Sequence, residues 1–126
     1  RNRSGILSIR RIIMPFIDSK ISVKVSDEKK EVIKSKLGAT MPLLSKSETY
    51  LMVGISDGYD LWMGGNRLEK GAYVAVSLFG NAKPEAYEKM TAAICDIYEE
   101  ELGISGSAVY VTYHPVSDWG WNGSNF

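Results

Sequence analysis

The order of apolar and polar residues predicts a strand, a helix and a second strand in the first half of the chain. Residues 17–25 alternate β-branched and polar positions, which is typical of a half-buried strand. Ser26 can cap the helix that follows, and Pro42 should kink or end it. The apolar stripe of this helix consists of Val32, Ile33, Leu37 and Met41. The apolar run TYLMVGI at residues 49–55 predicts the second strand.

The second half of the chain repeats this plan. The apolar run AYVAVSLF at residues 72–79 predicts a strand, and Pro84 suits the first turn of a helix. Gly103 is a natural end for that helix, and AVYVTY at residues 108–113 predicts a closing strand. The apolar stripe of the second helix consists of Met90, Ile94, Ile97 and Leu102.

Each half is therefore expected to form a βαβ unit, with its two strands parallel because a helix connects them. Two such units predict an α/β (α+β) fold with one four-stranded sheet and both helices on one face. The strands at residues 49–55 and 72–79 are apolar on both sides, whereas two helices cover only one face. Other copies of the same chain are the simplest cover for the second face, so we expect a homo-oligomer.

Composition excludes several classes of function. The chain has 126 residues, which is the length of one domain, and it contains one Cys and one His. A disulfide framework and a metal site built from several cysteines or histidines are thereby excluded. No apolar run approaches the roughly 18 residues of a membrane helix, and no phosphate-binding or dinucleotide motif is present. The formal charge is zero, with 15 basic and 15 acidic residues, so charge gives no reason to expect nucleic acid or membrane as a partner.

The charge is unevenly distributed, however. Residues 1–13 hold four arginines and no acid, which leaves 11 basic and 15 acidic residues in the remainder. A secretory signal fits poorly because Arg10 and Arg11 interrupt the apolar stretch. A DNA-binding arm and a vector remnant are alternatives. We favour the hypothesis that residues 1–13 are an upstream leader read through in frame and that translation begins at Met14; an intact mass starting at Arg1 in protein from the native gene would exclude it.

Three segments carry a resemblance to a known family. They are MPFI at residues 14–17, Lys46 with YLMV at residues 50–53, and the tail WGWNGSNF at residues 119–126. In this order and spacing they resemble the macrophage migration inhibitory factor family of the tautomerase superfamily. The resemblance covers residues 15–126 as a single domain and leaves residues 1–14 as leader or read-through plus initiator Met. It implies a homotrimer of βαβ-βαβ subunits with active sites between adjacent subunits.

The resemblance also implies a chemistry, in which removal of Met14 exposes the secondary amine of Pro15 as a general base. An α-amino group has a pKa of roughly 7.7–8.0, and burial beside a cation lowers it further, which leaves a neutral base near neutral pH. Lys46 is the expected cation for a substrate carboxylate or the enolate oxygen. Tyr110 of a neighbouring subunit is expected to orient the substrate carbonyl.

The expected substrate is a small aromatic 2-keto acid of the phenylpyruvate or dopachrome type, and no cofactor or metal is implied. Thr112 stands where the best-known animal members have Asn beside the substrate ring. Five aromatic residues are candidates for the apolar walls of the site, and Phe79, Trp121 and Phe126 are favoured among them. The five are Phe16, Phe79, Trp119, Trp121 and Phe126.

Other interpretations remain open at this point. Pro15 could simply begin a strand, Lys46 could be a solvated charge, and the aromatic residues could pack in a core or trimer interface. A non-catalytic, cytokine-like trimer is the main alternative, and it applies if Pro15 is not the mature N-terminus. Hydration or dehalogenation of unsaturated acids is less favoured, because such sites need several arginines and Arg67 is the only one after Met14. We expect a cytoplasmic protein, with leaderless secretion as an alternative.

Overall fold

The computed structural model describes residues 14–126; the predicted leader at residues 1–13 lies outside this part. Eight strands and two α-helices follow one another along it. In chain order they are β1 (Pro15–Ile21), α1 (Asp27–Ala39), β2 (Met52–Ser56), β3 (Trp62–Met63), β4 (Asn66–Arg67), β5 (Ala72–Phe79), α2 (Pro84–Leu102), β6 (Val109–Val116), β7 (Gly120–Trp121) and β8 (Ser124–Asn125).

The main sheet has four strands in the order β2-β1-β5-β6. Strand β1 is parallel to β2, β5 is parallel to β6, and the two central strands β1 and β5 are antiparallel. Both helices contribute to a single core against one face of this sheet. The predicted α/β fold of two βαβ repeats, with a four-stranded sheet and both helices on one face, is confirmed.

Helix α1 begins and ends where local chemistry predicts. The Ser26 side chain accepts a hydrogen bond from Lys29 N at 3.1 Å, which satisfies a free N–H of the first turn. The helix ends at Ala39, and Pro42 lies in the short 3₁₀ turn Met41–Leu44 that follows. Two residues of the predicted stripe were misplaced: Val32 is 40% exposed, and Met41 is buried but lies in the 3₁₀ turn after the helix.

Helix α2 also follows the sequence signals. Pro84 occupies its first turn, and Gly103 ends it with a φ of +67°, a conformation that glycine adopts without steric cost. Three of the four predicted stripe residues are buried: Met90, Ile94 and Ile97.

Three of the four predicted strands had wrong boundaries. Strand β1 runs over Pro15–Ile21 instead of residues 17–25. Strand β2 starts only at Met52, because Glu48–Tyr50 forms a 3₁₀ turn capped by the Ser47 side chain. Strand β6 continues through Pro115 to Val116, which an edge strand tolerates because a proline there removes no ladder bond.

The second face of the sheet is partly exposed and carries charged as well as apolar residues. Residues of β5 alternate between the buried core and partly exposed positions, which include Tyr73 and Ser77. On β1 the same face carries an ion pair between Lys20 and Asp18 at 3.0 Å. One face of β5 is buried against the helices and the other is partly exposed, as expected for two helices that cover one face of the sheet. Within residues 14–126, no helix is long and apolar enough to cross a membrane.

Candidate active site

Pro15 is buried and lies at the start of the central strand β1. It is paired in register with Leu78 near the end of the antiparallel strand β5. The carbonyl oxygen of Met14 accepts a hydrogen bond from Phe79 N at 3.2 Å. The junction between Met14 and Pro15 is thus held against the last residue of β5.

Lys46 reaches the same place from the loop before β2. Its Nζ donates a hydrogen bond to the carbonyl oxygen of Phe79 at 3.3 Å. The side chain is part-buried, and this loss of water lowers the pKa of the Lys46 ammonium. Phe79 therefore binds both the Met14 carbonyl, which is bonded to Pro15 N, and the Lys46 ammonium, so a partly buried positive charge lies beside the start of β1.

Three of the predicted wall residues surround this junction together with Phe79. The rings of Phe79 and Phe126 lie 5.7 Å apart between centroids, and Trp121 stacks on Phe126 at 6.2 Å. Trp119 packs against the cluster of Met14 and Phe79. The result is an apolar wall, built mostly from the end of the chain.

The C-terminal hairpin of β7 and β8 positions this wall. Asn122 and Gly123 form its turn with φ values of +51° and +83°, the conformation that a two-residue hairpin turn with an Asn-Gly pair favours. A hydrogen bond of 3.1 Å from Phe126 N to Trp119 O closes the segment. The Asn-Gly pair in the tail is thus a sequence signal for the element that carries the aromatic residues.

Two residues of the cluster were missed by the sequence analysis as site residues. Tyr50 meets Trp121 edge-on, with centroids 5.5 Å apart. Met14 is 3% exposed, and its backbone has a φ of +80°, which is uncommon for a residue other than glycine. Tyr50 lies four residues after Lys46, in the segment that carries the family resemblance, and this is the only signal for it in the sequence. No pattern in the sequence indicated where the Met14 side chain lies.

Phe16 is not part of this wall within the chain. Successive residues of a strand point to opposite faces, so Phe16 lies on the side of β1 opposite Ile17 and the core. A Cβ added to Gly54 would meet the Phe16 ring at 3.5 Å, which places that ring over β2. The structure therefore does not bring Phe16 together with Phe79 and Phe126.

Tyr110 and Thr112 are also distant from Pro15 in the same chain. Tyr110 is paired with Tyr73, and Val116 is paired with Phe79. Tyr73 and Phe79 are six residues apart on β5, so Tyr110 lies about 20 Å from the Phe79 end of the sheet. Tyr110 is 64% exposed and lines a surface cavity of ≈ 220 Å³ beside Trp62.

The Thr112 hydroxyl is engaged by two neighbours on the open face of the sheet. It makes hydrogen bonds of 2.7 Å with Tyr73 Oη and 2.8 Å with His114 Nε2. Among residues 14–126, no cluster of three or more His, Cys, Asp or Glu side chains is arranged to hold a metal ion. The chemistry that this part of the chain offers near Pro15 is therefore one ammonium group and apolar walls.

Comparison with known proteins gives consistent matches over the described part of the chain. A sequence model of the macrophage migration inhibitory factor family matches residues 14–126. The macrophage migration inhibitory factor homolog of Trichinella spiralis is 25% identical over 115 residues, which cover 90% of this chain and 100% of that protein.

Solved structures agree with the sequence match. Leishmania major MIF2 superposes with a TM-score of 0.84 at 31% identity, covering 90% of this chain and 98% of that one. The homologue from Prochlorococcus marinus has a TM-score of 0.79 at 27% identity, covering 88% and 98%. On sequence and fold together, the chain belongs to the macrophage migration inhibitory factor family, within the tautomerase superfamily.

Proposed function

We propose that this protein is a keto–enol tautomerase in which Pro15, freed at the N-terminus by removal of Met14, is the general base. One observation carries the proposal. Phe79 binds the Met14 carbonyl through its N–H and the Lys46 ammonium through its carbonyl oxygen, so a nitrogen that becomes basic on cleavage lies beside a half-buried cation. This pairing of base and cation is what enolisation of a keto acid requires.

The proposed reaction moves one proton between carbon and oxygen. The amine of Pro15 takes a proton from the carbon next to the substrate carbonyl, and the Lys46 ammonium stabilises the enolate oxygen or binds the carboxylate. Burial of the amine and the nearby positive charge both favour its neutral form, so they lower its pKa. Near neutral pH the amine is then unprotonated and can accept a proton. The reverse transfer converts enol to ketone.

The proposal includes a second copy of the chain at each site, in a homotrimer. Tyr110 lies at the opposite end of the sheet from Phe79, so it can orient a substrate at Pro15 only from a neighbouring subunit. Its exposure, with that of Trp62 beside it, supports a contact surface there. The substrate is a small aromatic 2-keto acid, held between the aromatic wall and the neighbouring subunit's Tyr110 and Thr112.

The proposal is tested with phenylpyruvate and protein that begins at Pro15. The enol–keto rate should fall by about 10²–10⁴ in Pro15→Gly and to a similar extent when Met14 is retained, because an amide nitrogen is not basic. Lys46→Ala should also lower the rate, whereas the exposed control Lys34→Ala should not. Equal rates in the Pro15 protein, Pro15→Gly and the Met14-retaining protein would disprove the mechanism.

A non-catalytic interaction protein is the second candidate. The observation that favours it is the buried Met14 side chain, which occupies the site for as long as Met14 is retained. The N-terminal mass of protein from the native gene separates the two functions. A native chain that retains Met14 supports the cytokine-like trimer, and one that starts at Pro15 supports the enzyme.

A further inference from the structure

The Met14 side chain lies in the middle of the candidate active site. It forms a small buried cluster with Phe79, against which Trp119 and Phe126 pack. The backbone carbonyl oxygen of Met14 accepts a hydrogen bond from Phe79 N at 3.2 Å. The site therefore accommodates an unbranched apolar side chain of this length directly next to Pro15.

The backbone of Met14 is held in an uncommon conformation. Its φ of +80° is disfavoured for any residue with a Cβ, and such conformations persist where the surrounding contacts impose them. The contacts here are aromatic rings, which interact well with a flexible thioether. These side-chain contacts and the hydrogen bond from Phe79 N hold Met14 in this conformation.

The side chain also has the right position relative to the proposed base. Only the carbonyl carbon separates the Met14 Cα from Pro15 N. In the proposed reaction, the substrate carbon that exchanges its proton approaches the same nitrogen to about 3–3.5 Å. Once Met14 is removed, that carbon takes approximately the place of the Met14 backbone, and its substituent enters the space that the Met14 side chain leaves.

We infer that the site takes, in preference to the aromatic 2-keto acids proposed above, a 2-keto acid whose C3 carries an unbranched thioether or alkyl chain as long as the Met14 side chain; the inference rests on the proposed function for its chemistry. The C3–H bond breaks and its proton moves to Pro15 N. The electron pair of that bond forms C2=C3, and the carbonyl π pair moves to the oxygen, which takes up a proton to give the enol. No oxidant or reductant is needed, and Lys46 binds the carboxylate. A phenyl ring is broader than the thioether, so unbranched acids rank above aromatic ones.

The pocket is tested without catalysis in the full chain carrying Met14→Gly. Glycine accepts the positive φ, and Pro15 remains an amide, so only the side chain is lost. Ethyl methyl sulfide, which is the methionine side chain as a free molecule, should raise the melting temperature of this variant by a few degrees. Toluene should raise it less, and the unsubstituted chain should not respond. No shift with the sulfide, or an equal or larger one with toluene, would overturn the inference. Circular dichroism checks that the variant is folded. Met14→Ala, which also removes most of the side chain, is the second variant for the same measurement.

Catalysis is tested with protein that begins at Pro15, which retains every described strand and helix. Deuterium uptake at C3 is followed by NMR for 5-methylthio-2-oxopentanoate, 2-oxoheptanoate, phenylpyruvate and the branched 3-methyl-2-oxopentanoate. The two unbranched acids should exceed phenylpyruvate in kcat/KM and exceed the branched acid by about tenfold or more. Exchange of phenylpyruvate without exchange of the unbranched acids overturns the inference and leaves the tautomerase. No exchange with any acid overturns the proposed function, while the Met14→Gly experiment still decides the pocket.

Discussion

Lys46 carries its charge where water reaches it only in part, and burial lowers the pKa of its ammonium. The proposed reaction uses the protonated form. An exposed lysine keeps its proton until the pH approaches its pKa of about 10.4. Because the pKa of Lys46 is lower, its charge is lost at a lower pH than on such a lysine. The kcat/KM for phenylpyruvate should therefore fall on the alkaline side with an apparent pKa below that of an exposed lysine.

The matched variants for this profile are Lys46→Arg and Lys34→Arg. A guanidinium remains protonated throughout the range, so Lys46→Arg should move the alkaline fall to higher pH. Lys34 is an exposed residue of α1 that pairs with Glu31, and its variant should keep the original profile. An unchanged alkaline limb in Lys46→Arg would assign the fall to another group.

Individual site residues differed in how well the sequence revealed them. Pro15 and Lys46 are site residues proposed from the family resemblance, and Phe79 binds the carbonyl of Met14, next to Pro15, and the Lys46 ammonium. Phe16 lies on the face of β1 opposite Ile17 and the core, as the alternation of side chains along a strand requires, and within one chain it is separate from the wall. The place of Met14 depends on packing among rings that are distant in sequence, and no local pattern indicates it.

Strand β1 and helix α2 are joined by a buried polar contact. Ser19 lies on the core side of β1 between Ile17 and Ile21, and its hydroxyl makes a hydrogen bond with Tyr98 Oη. Both residues are fully buried, and burial raises the pKa of Tyr98 to about 12. Each hydroxyl thus satisfies the other in a place without water.

Removal of either hydroxyl alone should therefore destabilise the fold. We expect Tyr98→Phe or Ser19→Ala to lower the free energy of unfolding by about 1–3 kcal/mol, because the remaining hydroxyl is left buried without its partner. The double variant should lose less than the sum of the two single losses. Urea unfolding measures all three, and strictly additive losses would show that the two hydroxyls are not coupled.

Elements were predicted best where the sequence alone decides their ends. Strand β5 matches its predicted span at both ends, and Gly103 ends α2 as expected. Strand β2 was started too early because the apolar run from Thr49 hides the 3₁₀ turn at Glu48–Tyr50, whose cap is the Ser47 side chain. Strand β6 extends further than predicted because its pairing with β5 continues through Pro115, a contact between distant parts of the chain.

The sequence indicated only in part how far apart the candidate site residues lie in one chain. Pairing along β5 and β6 fixes Tyr110 at one end of the sheet and Phe79 at the other. That separation needs the strand register, which follows from long-range hydrogen bonds and not from the order of residues. The proposed homotrimer removes the separation by bringing the Tyr110 end of one chain to the Pro15 end of the next.

This arrangement predicts that two defective variants can restore each other's activity. Pro15→Gly and Tyr110→Phe are prepared in protein beginning at residue 15, denatured together in equal amounts and refolded. If Pro15 and Tyr110 of one site belong to different subunits, about a quarter of the sites in randomly mixed trimers contain both native residues. The phenylpyruvate rate should then exceed that of the same variants refolded separately and combined afterwards. If both residues act within one chain, every site carries a defect in either preparation, and the two rates will be equal.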